Sequence, residues 1–209
     1  MTRLIQGLLI GLVLLLAAPA SAHPIDDYLV MVDKAMADPK SADYVALRKA
    51  YYAIVAAPDS QRRNKLADDI DEARKLLDSA LAKNNLDLAE RYQRNYLRLT
   101  FGSIQNQRAA AVFYEKQRAN PTRAAEHRYI ADQMLTAITK IGDGKGFATA
   151  YQATSVREEY LVIERLGMQS KGQSLLHDKG RHYDVLRGVA LNSPNGPEMQ
   201  VYFDITSFF

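Results

Sequence analysis

I-G-D-G-K-G-F-A-T-A-Y-Q-A-T-S-V-R-E-E-Y-L-V-I-E-R-L-G, residues 141–167, separates two kinds of sequence. Upstream of it, apolar residues recur at helical spacing; downstream they alternate as strands do. Within it, Gly142 is placed to be the C-terminal cap of the preceding helix. Gly142-Asp143-Gly144-Lys145-Gly146 reads as a turn and residues 149–154 as a strand. Ser155-Val156-Arg157-Glu158 has the spacing of a capping box, in which the serine caps a helix and the glutamate reaches back to its amide. Val156, Tyr160, Ile163 and Leu166 would then line one helix face as far as Gly167.

Working upstream, six helices are expected. The first carries Ile25, Leu29, Val32 and Met36 and stops at Pro39. The second is capped by Ser41, carries Tyr44, Leu47, Tyr51 and Ile54, and stops at Pro58. Leu66, Ile70, Ala73, Leu77 and Ala80 mark a third, broken at Asn84-Asn85. Leu88, Tyr92, Tyr96 and Leu99 mark a fourth, closed by Gly102. The fifth carries Ala109, Val112 and Phe113 up to Asn120-Pro121, a cap followed by proline at the first helical position. Ile130, Met134, Ala137 and Ile141 lie on the sixth. Residues 73–92, A-R-K-L-L-D-S-A-L-A-K-N-N-L-D-L-A-E-R-Y, are similar to a tetratricopeptide-like helical hairpin, although no clean 34-residue repeat is present. Downstream, Tyr183, Val185, Arg187 and Val189 alternate against His182, Asp184 and Leu186 after a turn at Asp178-Lys179-Gly180. Residues 192–197 turn into a last strand on Met199, Val201, Phe203 and Ile205. The fold class is therefore α+β: about six antiparallel helices over 23–141, then a small β-α-β-β-β antiparallel sheet over 142–209.

Several of these pieces carry a family resemblance. G-D-G-K-G-F-A-T-A-Y, S-V-R-E-E-Y-L-V-I-E-R-L-G, H-Y-D-V-L, V-Y-F-D-I and the earlier D-Y-V-A-L-R-K-A-Y-Y resemble the exported bacterial family called domain of unknown function 4919. The resemblance covers most of the chain. It implies an exported helical region followed by a small mixed domain, and it brings no activity and no functional residues.

Residues 1–22 read as an export signal: Arg3 supplies the positive region, residues 4–16 the apolar one, and Ala20-Ser21-Ala22 after Pro19 a small-residue cleavage site. The expected location is periplasmic or secreted, with no membrane span after cleavage and no nucleic-acid partner. The chain of 209 residues contains no cysteine, which removes disulfides, thiolate metal sites and cysteine nucleophiles. Its formal charge of +3 is uneven. Residues 26–82 hold 9 Lys/Arg and 11 Asp/Glu, residues 83–140 hold 10 and 5, and residues 141–209 hold 7 and 8. The basic middle segment is where an anionic membrane surface would be met.

Candidate functional residues fall into three sets. Glu158, Glu159 and Asp143 are the carboxylates available for acid–base chemistry of a small envelope hydrolase, although neighbouring helical residues point about 100° apart and Glu158 has a capping role. His177 and His182 flank one hairpin and are the candidate metal ligands, where ordinary strand ends explain them as well; no cofactor is expected. Tyr51, Tyr92, Tyr96, Arg91, Arg94 and Arg98 would form a ligand-binding surface on the helices. Against that, tyrosines at helical spacing serve as core knobs, and Asp87 and Glu90, four residues ahead of Arg91 and Arg94, would absorb the arginine charge. G-D-G-K-G fits neither a phosphate loop, which needs Ser or Thr after the lysine, nor a calcium loop, whose acidic positions would fall on Thr139 and Ile141. The leading expectation is a non-catalytic binding protein of the cell envelope, meeting a protein or peptide across its helices.

Overall fold

A computed structural model describes residues 24–56 and 61–208. Residues 1–22, read above as an export signal, His23 and Pro58 lie outside the described residues. The expected helices are α1 (Pro24–Ala37), α2 (Tyr44–Val55), α3 (Gln61–Ala82), α4 (Leu86–Leu99), α5 (Ile104–Lys116) and α6 (Pro121–Ile141). Among the described residues, no helix is long and apolar enough to cross a membrane.

Short polar junctions make the helices turn back on each other. Asn84 adopts a left-handed conformation (φ 51°), and the Asn85 N–H returns to Ala80 O at 2.9 Å, closing α3. Asn85 then caps α4 by accepting from Leu88 N at 3.1 Å. Ala119 (φ 48°) and Asn120 do the same between α5 and α6, with Asn120 accepting from Arg123 N at 3.1 Å and Pro121 opening the helix. The pairs α3/α4 and α5/α6 are thus packed hairpins.

One helix end differs from expectation. Asp43, not Ser41, caps α2, accepting from Ala46 N at 2.9 Å; Ser41 bonds backward to Asp38 O. Gly142 is the C-cap of α6, as its position predicts, in extended backbone (φ −142°, ψ −179°). Its missing side chain matters there: a Cβ would lie 2.4 Å from Thr149 O, the oxygen that accepts from Asp143 N and Gly144 N. The left-handed residue of this turn is Gly144, at φ +68°.

The second region contains a strand β1 (Tyr151–Gln152), helix α7 (Val156–Arg165), and strands β2 (Met168–Asp178), β3 (Arg181–Ala190) and β4 (Met199–Asp204). Their order in the sheet is β1-β4-β3-β2. β1 is two residues long and pairs parallel to β4, so the sheet is mixed rather than wholly antiparallel. Lys179 (φ 47°) and Gly180 (φ 76°) give the tight turn between β2 and β3 its two left-handed residues, the geometry that matches strand twist. The central strand β3 is covered on both faces, which is why Asp184 and Leu186 are buried along with Tyr183 and Val185.

The two regions share one core. A single cluster joins Tyr28, Val32, Leu47, Phe101, Ile104, Met134 and Ile138 of the helices to Leu161, Val162, Leu186 and Phe203 of the second region. A smaller cluster, centred on Leu77, Ala89, Phe113 and Tyr114, fills the space under the two hairpins.

Candidate functional site

The carboxylates separate into three environments. Ser155 caps α7 as its spacing predicts, accepting from Glu158 N at 3.3 Å. Glu158 does not return to the Ser155 amide. Its carboxylate accepts from Thr154 N and Thr154 Oγ1, both at 2.9 Å, and from both guanidinium nitrogens of Arg48, at 3.1 and 2.5 Å. Arg48 is 0% exposed and Glu158 2% exposed, and the same guanidinium donates to Gly102 O and Gln152 O, each at 3.1 Å. A buried fork of this kind ties α2, the α4–α5 junction, β1 and α7 together. Three donors converge on Glu158 Oε2 and one on Oε1, so the carboxylate is held as the buried partner of a counter-charge.

Glu159 faces Asp184 on β3, and both are buried. The two Glu159 oxygens and Asp184 Oδ1 receive no donor from elsewhere. Burial, then the Asp184 charge, pushes the Glu159 pKa up to about 8; burial also raises that of Asp184, against the hydrogen bond from Glu159. A proton on Glu159 gives that carboxyl a donor for Asp184, which pairs one oxygen of each. Asp143 stands apart on the exposed glycine turn. Hydrogen bonds from Thr149 Oγ1 (2.5 Å) and Lys145 N (3.0 Å) lower its pKa and fold the turn. The three carboxylates therefore do not assemble into one site.

His177 and His182 do meet. They are cross-strand partners with ring centroids 4.4 Å apart. Among the described residues, however, no group of three or more His, Asp or Glu converges as a metal would require. Beside this hairpin, a cleft of about 720 Å³ runs between the glycine turn (Lys145, Phe147) and Lys179, Arg181 and Asp204. Its charged floor is already engaged: Arg181 pairs with Asp204, which also accepts from Tyr52 Oη at 2.7 Å and Thr206 Oγ1 at 2.6 Å.

The helical candidates disperse as well, with one exception. Tyr51 packs against the larger core, 5.8 Å from the Tyr28 ring, and Tyr92 and Tyr96 pack against the smaller one. Arg98 crosses to Asp33 of α1, at 2.5 and 2.8 Å. The local pairs expected for Arg91 and Arg94 are not made, because Arg118 from the end of α5 takes both acids, Asp87 at 3.0 Å and Glu90 at 2.9 Å. A residue from another helix outcompetes the i+4 arginines, since one guanidinium spans both carboxylates. Arg91 and Arg94 are consequently left without an ion pair among the described residues.

Arg94 stands at a cavity of about 250 Å³ bounded by α1, α4, α5 and α6. Met36, Leu97, Phe101 and Ile130 form its apolar wall, and Arg123, Glu126, Tyr114 and His127 its polar one. The Tyr114 and His127 rings are stacked, 8° apart in plane and 5.2 Å between centroids. Gln107 Nε2 donates to Phe101 O at 3.0 Å, which leaves Gln107 Oε1 facing His127 Nδ1 at 2.8 Å. An oxygen accepts only from a protonated nitrogen, so this chain of bonds places the ring proton on Nδ1. Burial, then the Arg123 charge, lowers the His127 pKa to about 4, so the ring is neutral at pH 7 and Nε2 is an acceptor. Nε2 has no hydrogen-bond partner among the described residues, and the ring lines the cavity.

Two of these groupings are not among the candidates the sequence offers. Arg48 was one basic residue in D-Y-V-A-L-R-K-A-Y-Y, and nothing local marks its partner 110 residues away. His127 did leave a signal: it interrupts the buried stripe Ala124, Ile130, Ala131 and Met134 of α6. No curated protein and no solved structure matches the chain. The family model described as domain of unknown function (DUF4919) matches residues 40–209, which span the Arg48–Glu158 fork, the helical cavity apart from its α1 wall, and the whole sheet. The chain belongs to that family.

Proposed function

We propose that this is an exported, non-catalytic binding protein of the cell envelope whose ligand seat is the cavity between α1, α4, α5 and α6. One observation carries the reading: Arg94, without an ion pair among the described residues, stands at a small cavity with one apolar wall that also presents a buried, neutral imidazole. Small-ligand sites combine apolar walls with a few placed polar groups in this way. A hydrolase built on the carboxylates is less well supported, because Glu158 is held by Arg48 and neither Glu158 nor Glu159 lines this cavity or the cleft beside the glycine turn. Binding to an anionic membrane through the basic middle segment is also less well supported, since Arg98, Arg118, Arg123 and Arg128 are paired with acids.

Native mass spectrometry of the protein after exposure to an envelope extract tests the reading. Small ligands should be retained, be released chemically unchanged, and be lost on Arg94→Glu. Conversion of the bound molecules, or equal retention by the variant, would overturn it.

A further inference from the structure

Resting on that reading of the cavity, we infer that its ligand is a small carboxylate with a hydrogen-bond donor beside the carboxylate and an apolar side group, the chemistry of an N-acyl amino acid or of a peptide's last residue. Three features of the cavity select three features of the ligand. Arg94, with no ion pair of its own among the described residues, supplies the charge for a carboxylate; Arg123 is already 3.3 Å from Glu126 and contributes less. Guanidinium forks favour planar carboxylates. His127 is 8% exposed and offers an acceptor at Nε2, because Gln107 holds the proton on Nδ1. A ligand with a bare acceptor there would meet a lone pair with a lone pair, and one with an N–H or O–H completes the imidazole's bonding. Met36, Leu97, Phe101 and Ile130 give the side group its apolar contact. The volume of about 250 Å³, room for about eight waters at ~30 Å³ each, suits one residue-sized group.

Isothermal titration calorimetry of the purified protein with three probes separates these terms. N-acetylphenylalanine carries all three features, 3-phenylpropanoate lacks the donor, and N-acetylphenylalaninamide lacks the charge. The first should bind most tightly, the second roughly tenfold more weakly and the third roughly tenfold or more weakly again. His127→Asn keeps an amide able to donate toward Gln107 but has no atom at the Nε2 position. It should abolish the preference for N-acetylphenylalanine over 3-phenylpropanoate, and Arg94→Gln should abolish the preference for acid over amide. A peptide ending in phenylalanine, as free acid and as amide, distinguishes the two sources: acid-dependent peptide binding assigns a chain end, and its absence assigns a free small molecule. Equal binding of the first two probes, still lost on Arg94→Gln, would overturn the ligand class and leave the binding reading standing. No saturable binding of any probe at millimolar concentration, or binding indifferent to Arg94→Gln, would overturn this assignment whatever the envelope extract yields. Should His127→Asn fail to fold, the probe series on the native protein and on Arg94→Gln still decides the matter.

Discussion

Replacing Arg48 by methionine removes a guanidinium that is 0% exposed and leaves the Glu158 carboxylate, 2% exposed, without its counter-charge. It also strips donors from Gly102 O and Gln152 O. Breaking one side of a buried pair costs about 3–5 kcal/mol, because the surviving charge stays desolvated. For a chain of this size that corresponds to a fall in melting temperature of roughly 6–20 °C, and to a large share of the about 5–15 kcal/mol that holds a typical domain folded. The double variant Arg48→Met/Glu158→Gln should be more stable than Arg48→Met alone. The glutamine carbonyl still accepts from Thr154 N, as Glu158 does now, while no uncompensated charge remains. Urea unfolding is the assay, followed by far-UV circular dichroism and by the fluorescence of the twelve tyrosines, since the chain has no tryptophan. A loss under about 1 kcal/mol for Arg48→Met would show that the pair is not desolvated as the burial indicates. A double variant no better than the single would show that the cost lies in the orphaned carbonyls and not in the carboxylate.

The Glu159–Asp184 contact makes stability depend on pH. Folded Glu159 keeps its proton up to about pH 8 and the unfolded residue releases it near 4.5, so the native state binds more protons between these values and stability falls as pH rises through that window. Glu159→Gln should flatten the urea midpoint between pH 5 and pH 8, and an unchanged slope would refute the proton on Glu159. Gly144→Ala should cost more than Gly180→Ala. Both positions have positive φ, worth roughly 1–2 kcal/mol each, but a Cβ at Gly144 would also lie 2.5 Å from the Tyr151 ring, where Gly180 has open space; equal melting temperatures would refute the packing argument. Asn85→Ala and Asn120→Ala should each lose about 1 kcal/mol with their caps, read as lower melting temperatures.

Periodicity and punctuation were legible from the residues alone. Apolar steps of three and four placed all six helices of the first region, and Asn84-Asn85, Asn120-Pro121 and Ser155 marked junctions found in the structure. Those signals are local: a cap or a turn is decided within four or five residues. A misplaced detail was settled by distant atoms. β1 runs parallel to β4, a partner that arrives about fifty residues later in the chain. The candidate site follows the same division. Sequence identified Arg94 as one of three stripe arginines and Glu158 as a cap. Only the folded chain decided that Arg118 would take Glu90 away from Arg94, that Arg48 would claim Glu158, and that Gln107 would hold the His127 proton on Nδ1 beside a cavity. Propensity and capping energies act between near neighbours and are written in the sequence. Ion-pair competition, burial and tautomer choice depend on which distant groups share a low-dielectric space, and that is fixed only by packing.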